Sequence, residues 1–369
     1  MDERELENMV RGLMFDAQQK PGLYRFKLLC FILFAYLFIF LMVALALGVA
    51  GGIIWGLVWI GQQVNAGNIR ISLGIGKLML LVVPILLGLF VFALSSLRSL
   101  WVVLPEPEGL VLERGQAIVL FQEIESLREA LGVPTFHQVI LTDEFNAAAL
   151  QVPRLGILGF QRNYFLIGIP LLLTLSPEHL RGVLAHEMAH LSRKHSAFGA
   201  WIARMSYTWR MLLITLEAQD NSGVDVFYSF FSWFVPRMEL RSFAMRRQKE
   251  FEADKLAAEA VGAKPLADSL IQIALFKRSV AEANTERPVP RALLNHWMND
   301  ALQEHDHFTD SHPSLQARLR NIEHRPELPT PMVETAAEKY LGHHLLNLAA
   351  SVGIQVDMDK LKKALVNMA

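Results

Sequence analysis

His186-Glu187-Met188-Ala189-His190 decides how this chain of 369 residues is read. Ser176 can cap a helix N-terminus, Pro177 suits the first helical position, and Glu178 favours the positive end of the helix dipole. From there the chain reaches Lys194 without a proline, and Gly182 is its only glycine. His186 and His190 then fall at i and i+4 on one helical face, where two imidazoles can ligate a single metal ion. Glu187, one residue round the helix, can reach a water in the open coordination position.

Two histidines leave a zinc site incomplete. A catalytic zinc with two His takes a carboxylate as its third protein ligand and keeps the fourth place for water or substrate. The stretch Arg246-Arg247-Gln248-Lys249-Glu250-Phe251-Glu252-Ala253-Asp254 leads into an Ala-rich helical pattern ending near Gly262. Glu250 and Asp254 share a face of that helix, whereas Glu252 lies about 200° round from Glu250. Glu250 can bind the metal while Asp254 accepts the free N–H of a ligating His and fixes its tautomer. Taken alone the segment reads as a solvated Lys/Glu face, and the histidine motif tips it towards ligation.

His186-Glu187-x-x-His190, Glu250-x-x-x-Asp254 and then Ser311-His312-Pro313 with Arg318 resemble, in that order, the HtpX and CAAX prenyl-protease family of membrane zinc metallopeptidases. The resemblance covers roughly residues 100 to 325. It implies a zincin-like catalytic domain, one Zn2+ per chain on His186, His190 and Glu250, and Glu187 as the catalytic base. It also implies that His312 lies near the active site, able to steady the oxyanion, with Arg318 in support or in a structural ion pair. Asn146-Ala147-Ala148-Ala149 resembles the family's Asn-Ala-x-Ala edge segment, whose backbone groups would bind a peptide substrate. An ordinary half-buried strand is the equal alternative there.

Composition agrees with a membrane protein, since 52% of residues are hydrophobic and only 19% are charged. No Asp, Glu, Lys, Arg or His occurs from Leu28 to Ile69 or from Leu78 to Leu97. About 20 apolar residues span a bilayer core, so Leu28 to Ala50, extending towards Ile60, predicts one span and Leu78 to Leu97 a second. The first is long enough to tilt or to break at Gly51-Gly52. It is also too long, and starts too far into the chain, for a cleaved signal peptide. Lys20, Arg25 and Lys27 precede the first span and Arg98 and Arg114 follow the second, against Arg70 and Lys77 between them. That bias puts both termini and the zinc motif on the cytoplasmic side. Cys30, the single cysteine, allows no intrachain disulfide.

The expected organisation is a cytoplasmic segment (1–27), two transmembrane helices (28–103), a metallopeptidase domain (104–325) and a C-terminal helical extension (326–369). The fold class is α+β and mostly helical. Within the catalytic domain, Gln116 to Leu131 has helical spacing and stops at Gly132-Val133-Pro134. His137 to Leu141, Phe145 to Val152 and Tyr164 to Ile169 read as strands of a small sheet. Ala197 to Leu216 is apolar but carries Arg204 and Arg210, which predicts a helix buried in the protein or lying at the membrane surface. Phe227 to Val235 continues that surface, and 220 to 225 reads as a loop. His179 and His195 read as solvated, and His305-Asp306-His307 as an exposed loop. Beyond a Pro-rich linker at 325 to 331, Val333 to Leu348 and Met358 to Met368 read as helices.

The expected activity is hydrolysis of peptide bonds in membrane-associated or misfolded proteins, at a site in an integral protein of the bacterial inner (plasma) membrane. Prenyl-protein processing uses the same chemistry but a larger cage of membrane helices. A catalytically silent zinc-binding scaffold is the rival from another class, and the intact Glu187 speaks against it. Partners are protein or peptide substrates and the lipid bilayer, with homo-oligomers or membrane partner proteins left open. The net charge of −1 and the lack of a phosphate loop give no case for nucleic acid.

Overall fold

The computed structural model describes residues 3–67, 106–154, 161–192, 197–217, 225–281, 289–304 and 312–356, with a few helical residues between 82 and 90. Most of the expected second span therefore lies outside the described residues, as do His195, Ser311, the 305–307 cluster and the last predicted helix. The described architecture is mostly helical with one small mixed sheet.

Two helices open the chain, α1 (Glu3–Gln19) and α2 (Pro21–Asn65). Pro21 suits the first turn of α2, and the helix passes through Gly51-Gly52 without a break. Its 45 residues extend about 68 Å at 1.5 Å per residue, more than the roughly 30 Å of a bilayer's hydrocarbon. It is long and apolar enough to cross a membrane, the one such helix among the described residues. Tyr24, Leu28, Ile32, Ala35 and Ile39 form its buried stripe at spacings of three and four. Its other faces expose Phe34, Phe40, Leu41, Leu45 and Trp55.

The part of the chain after residue 106 contains a four-stranded sheet of order β1-β2-β4-β3, from β1 (Leu110–Val111), β2 (Gln138–Thr142), β3 (Ala147–Pro153) and β4 (Gln161–Gly168). β2 and β4 are parallel, with Gln138 opposite Tyr164, and β3 is antiparallel to β4, with Ala147 opposite Ile167. The sequence anticipated the last three strands and missed β1, whose two residues are too few to show a period. β3 is an edge strand. Its entry is tightly held, because the Gly168 N–H donates to the Asn146 carbonyl at 2.8 Å and a Cβ on Gly168 would collide with the Glu144 carbonyl oxygen.

One face of the sheet packs on helices. In α3 (Ile118–Leu131), Leu120, Ile124, Leu127 and Leu131 point into the core, and Gly132 ends the helix in the left-handed region at φ 66°. After the short α4 (Ile169–Thr174) comes α5 (Pro177–Ala189), with the Ser176 side chain accepting from the His179 N–H as its cap. α5 stops at Ala189, earlier than the predicted Lys194. Leu191 and Ser192 fold back on i−3 carbonyls, and the Ser192 hydroxyl donates to the Leu131 carbonyl at 2.6 Å, turning the chain towards α3.

The chain continues in α6 (Ala197–Glu217), α7 (Asp225–Val261), α8 (Ala263–Ala281), α9 (Arg291–Gln303) and α10 (Leu315–Asn321). Gly182 lets α5 cross α8 closely, since a Cβ there would stand 3.0 Å from the Leu266 Cα and the Pro265 carbonyl. The C-terminal α11 (Ala336–Leu341) and α12 (Leu345–Ser351) do not stand apart from the domain. Ala336, Tyr340, Leu341, Leu345 and Leu348 are buried in the same core as α3 and α5, and the Ala336 N–H donates to the Leu175 carbonyl.

A second core forms between α2, α6 and the first half of α7. Ile202, Met205, Trp209 and Leu212 of α6 meet Phe227, Phe231, Phe234 and Met238 of α7 and the stripe of α2. Phe31 stacks on Phe234 and Phe38 on Phe230, so α2 and α7 run antiparallel. α7 is a single helix of 37 residues that carries Pro236 within it. It joins what sequence reading treats as a surface segment to the Glu250 helix without interruption.

Candidate metal centre

α5 and the second half of α7 cross so that three predicted ligands meet. The Nε2 of His186 lies 3.5 Å from Glu250 Oε2, and the Nε2 of His190 lies 3.3 Å from Glu250 Oε1. Ligands about 2.0–2.1 Å from a tetrahedral zinc stand roughly 3.3 Å from one another. The two distances to Glu250 and the N,N,O donor set suit zinc. His190 is the last residue of its turn, with φ −60° and ψ −24°, and keeps its place one turn below His186 although α5 has ended.

His312 also reaches this centre. Its Nδ1 is 2.5 Å from Glu250 Oε2, so that His186, Glu250 and His312 offer ligand atoms all within 4.8 Å of one another. A separation of 2.5 Å is that of a hydrogen bond, shorter than the distance between two ligands of one ion. The contact between His312 and Glu250 was not foreseen in the sequence, where 62 residues separate them.

Behind His186 lies a buried ion pair. Arg318 donates through Nε and Nη2 to the two oxygens of Asp254 at 3.0 and 2.7 Å, and Asp254 Oδ1 is 2.9 Å from His186 Nδ1. Arg318 Nη2 stands 3.1 Å from that same ring nitrogen. Asp254 is fully buried, which makes the pairing obligatory for both charges. The Asn321 amide donates to the Phe251 carbonyl at 2.7 Å and fastens α10, which carries Arg318, to α7.

The electrostatics follow from these contacts. Burial and the Arg318 charge both work against a charged His186, yet hydrogen bonds to Asp254 and Glu250 outweigh them and raise it to about 9. Burial alone would raise Glu250, but hydrogen bonds from His186 and His312 hold its carboxyl far below the usual range. The same balance of burial against Arg318 and His186 lowers Asp254. Glu187 is shifted the other way, raised chiefly by burial. A metal that binds here must displace the proton of His186, and zinc ligation does so readily.

Glu187 opens into a cleft of about 1040 Å³ bounded by the start of β3, α5, α8 and the His312 loop. Asn146, Ala147 and Ala148 line it beside His186, Glu187, His312 and Arg318. The outer edge of β3 has no strand partner among the described residues. Phe145 stacks on Phe276 of α8 with ring centres 4.5 Å apart, which ties the sheet edge to the opposite wall. That wall was not read as part of the site. Its Leu266, Leu270 and Ile273 line the cleft at helical spacing, and such a stripe looks the same whether it faces a core or a cleft.

His179 requires a correction. It is buried rather than solvated, because α8 crosses the start of α5 and sets Asp268 3.7 Å from its Nε2. Lys264 donates to the same Asp268 at 2.8 Å, and together these groups hold that carboxyl below its ordinary value against the effect of burial.

A His/Glu/His group able to hold a metal ion, with His186 and Glu250 buried and His312 exposed, beside a glutamate that lines a cleft, is the arrangement of a metallopeptidase. Residues 121–326 match the family model described as peptidase family M48, which takes in more than half of the chain, and the chain belongs to that family. A protease HtpX homologue of Methanocaldococcus jannaschii is 21% identical over 258 residues, which cover 65% of this chain and 86% of the relative.

Proposed function

We propose that this chain is a membrane-anchored zinc endopeptidase whose catalytic domain faces the cytoplasm. The reading is carried by one observation, the approach of His186 and His190 to Glu250 at 3.5 and 3.3 Å beside Glu187 in the cleft. His186, His190 and Glu250 would hold the zinc, which supplies Lewis acidity towards both a water and the scissile carbonyl. Glu187 takes a proton from the attacking water as its oxygen bonds to the carbonyl carbon. When the C–N bond breaks, the same carboxyl returns that proton to the leaving amine. Burial raises the Glu187 carboxyl above the ordinary carboxylate range, which makes it a stronger acceptor for the water's proton. Asp254 holds the Nδ1–H of His186 and directs Nε2 to the metal, while Arg318 balances the charge of Asp254.

Asn146, Ala147 and Ala148 would take an extended substrate by adding a strand at β3, with His312 close enough to assist the developing oxyanion. Substrates of this kind are unfolded or locally extended proteins at the membrane, in keeping with a quality-control role. The anchor is α2. Its outer face exposes Phe34, Phe40, Leu41, Leu45 and Trp55 along one continuous helix, and a bilayer removes such a surface from water. Detergent-purified protein should cleave an unfolded polypeptide such as reduced casein, lose that activity to a zinc chelator and regain it when zinc is restored. Cleavage that persists through complete zinc removal would rule out the proposed chemistry.

A further inference from the structure

At one end of the apolar surface, arginines of two helices stand at one level with no carboxylate in ion-pair range among the described residues. The Tyr24 hydroxyl of α2 donates to the Arg241 carbonyl of α7, which brings Arg25 and Arg241 to the same level. Arg241 lies over the Phe31 ring, 4.4 Å from its centre, and Arg237 lies 4.9 Å from that of Trp233. Each reaches back to a carbonyl one turn earlier, Arg237 to Trp233 at 3.0 Å and Arg241 to Arg237 at 3.1 Å. Arg25 has its Nε buried with no hydrogen-bond partner. None of the three forms an ion pair among the described residues, in contrast to Lys27 with Asp16 and Arg210 with Glu239. Exposed Leu23, Phe26 and Trp233 border the cluster on the side of the apolar face.

We propose that Arg25, Arg237 and Arg241 form a binding site for the phosphate of an anionic phospholipid headgroup, with the acyl chains along Leu23, Phe26 and Trp233. A guanidinium stacked on an aromatic ring keeps part of its planar fork free for phosphate. Three uncompensated positive charges favour a headgroup of net negative charge over a zwitterionic one. The position at the rim of an apolar surface favours a lipid over free phosphate. From Arg241 to Glu250 is nine residues of one continuous helix, about 14 Å, so a headgroup held here sets the height of the metal centre above the membrane.

This inference rests on the membrane-anchored reading, and its test separates the two. Membranes containing the full-length chain are first washed at high pH, and the detergent-purified protein is then titrated with phosphatidylglycerol, phosphatidylcholine or inorganic phosphate. Lipid retained per chain is read by native mass spectrometry and the unfolding temperature is followed in parallel. Phosphatidylglycerol should be retained and raise the unfolding temperature, the other two should do neither, and the Arg237→Gln/Arg241→Gln variant should bind it about thirtyfold more weakly. Arg237→Gln alone, at an exposed position, should show an intermediate loss if the double variant folds poorly. Equal retention of phosphatidylcholine, equal stabilisation by inorganic phosphate, or undiminished binding by either variant would overturn the lipid site and leave the anchor standing. Release of the chain by the high-pH wash would overturn both.

Discussion

Glu187→Gln is expected to reduce peptide hydrolysis by about 10³-fold or more while leaving bound zinc unchanged. The substitution keeps the shape of the side chain and its capacity for hydrogen bonding, but an amide cannot take a proton from water. General acid–base catalysis contributes about 10²–10⁴-fold, and here one carboxyl serves in both directions. Glu187 points into the cleft and is not one of the groups spaced for ligation, so the metal site has no reason to empty. Steady-state cleavage of a quenched peptide, with zinc measured on the same preparations, checks both halves. A variant within tenfold of the wild type would remove Glu187 from the chemistry. Loss of zinc would make it part of the metal site instead.

Asp254→Asn should damage both stability and metal binding. Among the described residues Asp254 is the sole carboxylate in an ion pair with Arg318, and both side chains are buried. Removing the charge leaves an uncompensated guanidinium in the core, which costs about 3–5 kcal/mol. For a domain of this size that corresponds to a fall in unfolding temperature of roughly 10 °C. The same change weakens the group that orients His186, and loss of such a partner lowers metal affinity about 10–100-fold. The two effects can be separated by adding Arg318→Met. The double variant should recover part of the stability because no buried charge is stranded, whereas zinc affinity should stay low. Equal recovery of both would mean that Asp254 acts on the metal only through the fold.

How much of this was legible in the sequence depended on the range of the interaction. The caps and periodicity of α5, the strands β2 to β4 and the shared face of Glu250 and Asp254 are local, and each is written in a few consecutive residues. The hydrogen bond between His312 and Glu250 and the clamp of Arg318 on Asp254 join residues more than 60 positions apart. The motifs single those residues out, but only the crossing of α7 and α10 gives them partners. His179 shows the same limit, since its burial is decided by Asp268 on another helix. α7 defeats local reading in a different way. Its aromatic half and its charged half look like separate elements, and Pro236 invites a boundary between them, although the helix runs through. The C-terminal helices likewise offer no local sign that their apolar faces complete the main core.

Zinc bound per chain by the wild type, His190→Ala and His312→Ala proteins bears most directly on the proposed centre, because His190 and His312 both contact Glu250 and the ligand set includes only one of them. About one zinc is expected in the wild type, about one in His312→Ala, and a small fraction of that in His190→Ala. An empty His312→Ala protein beside a zinc-replete His190→Ala protein, or a wild type that binds no zinc at all, would contradict the proposed centre.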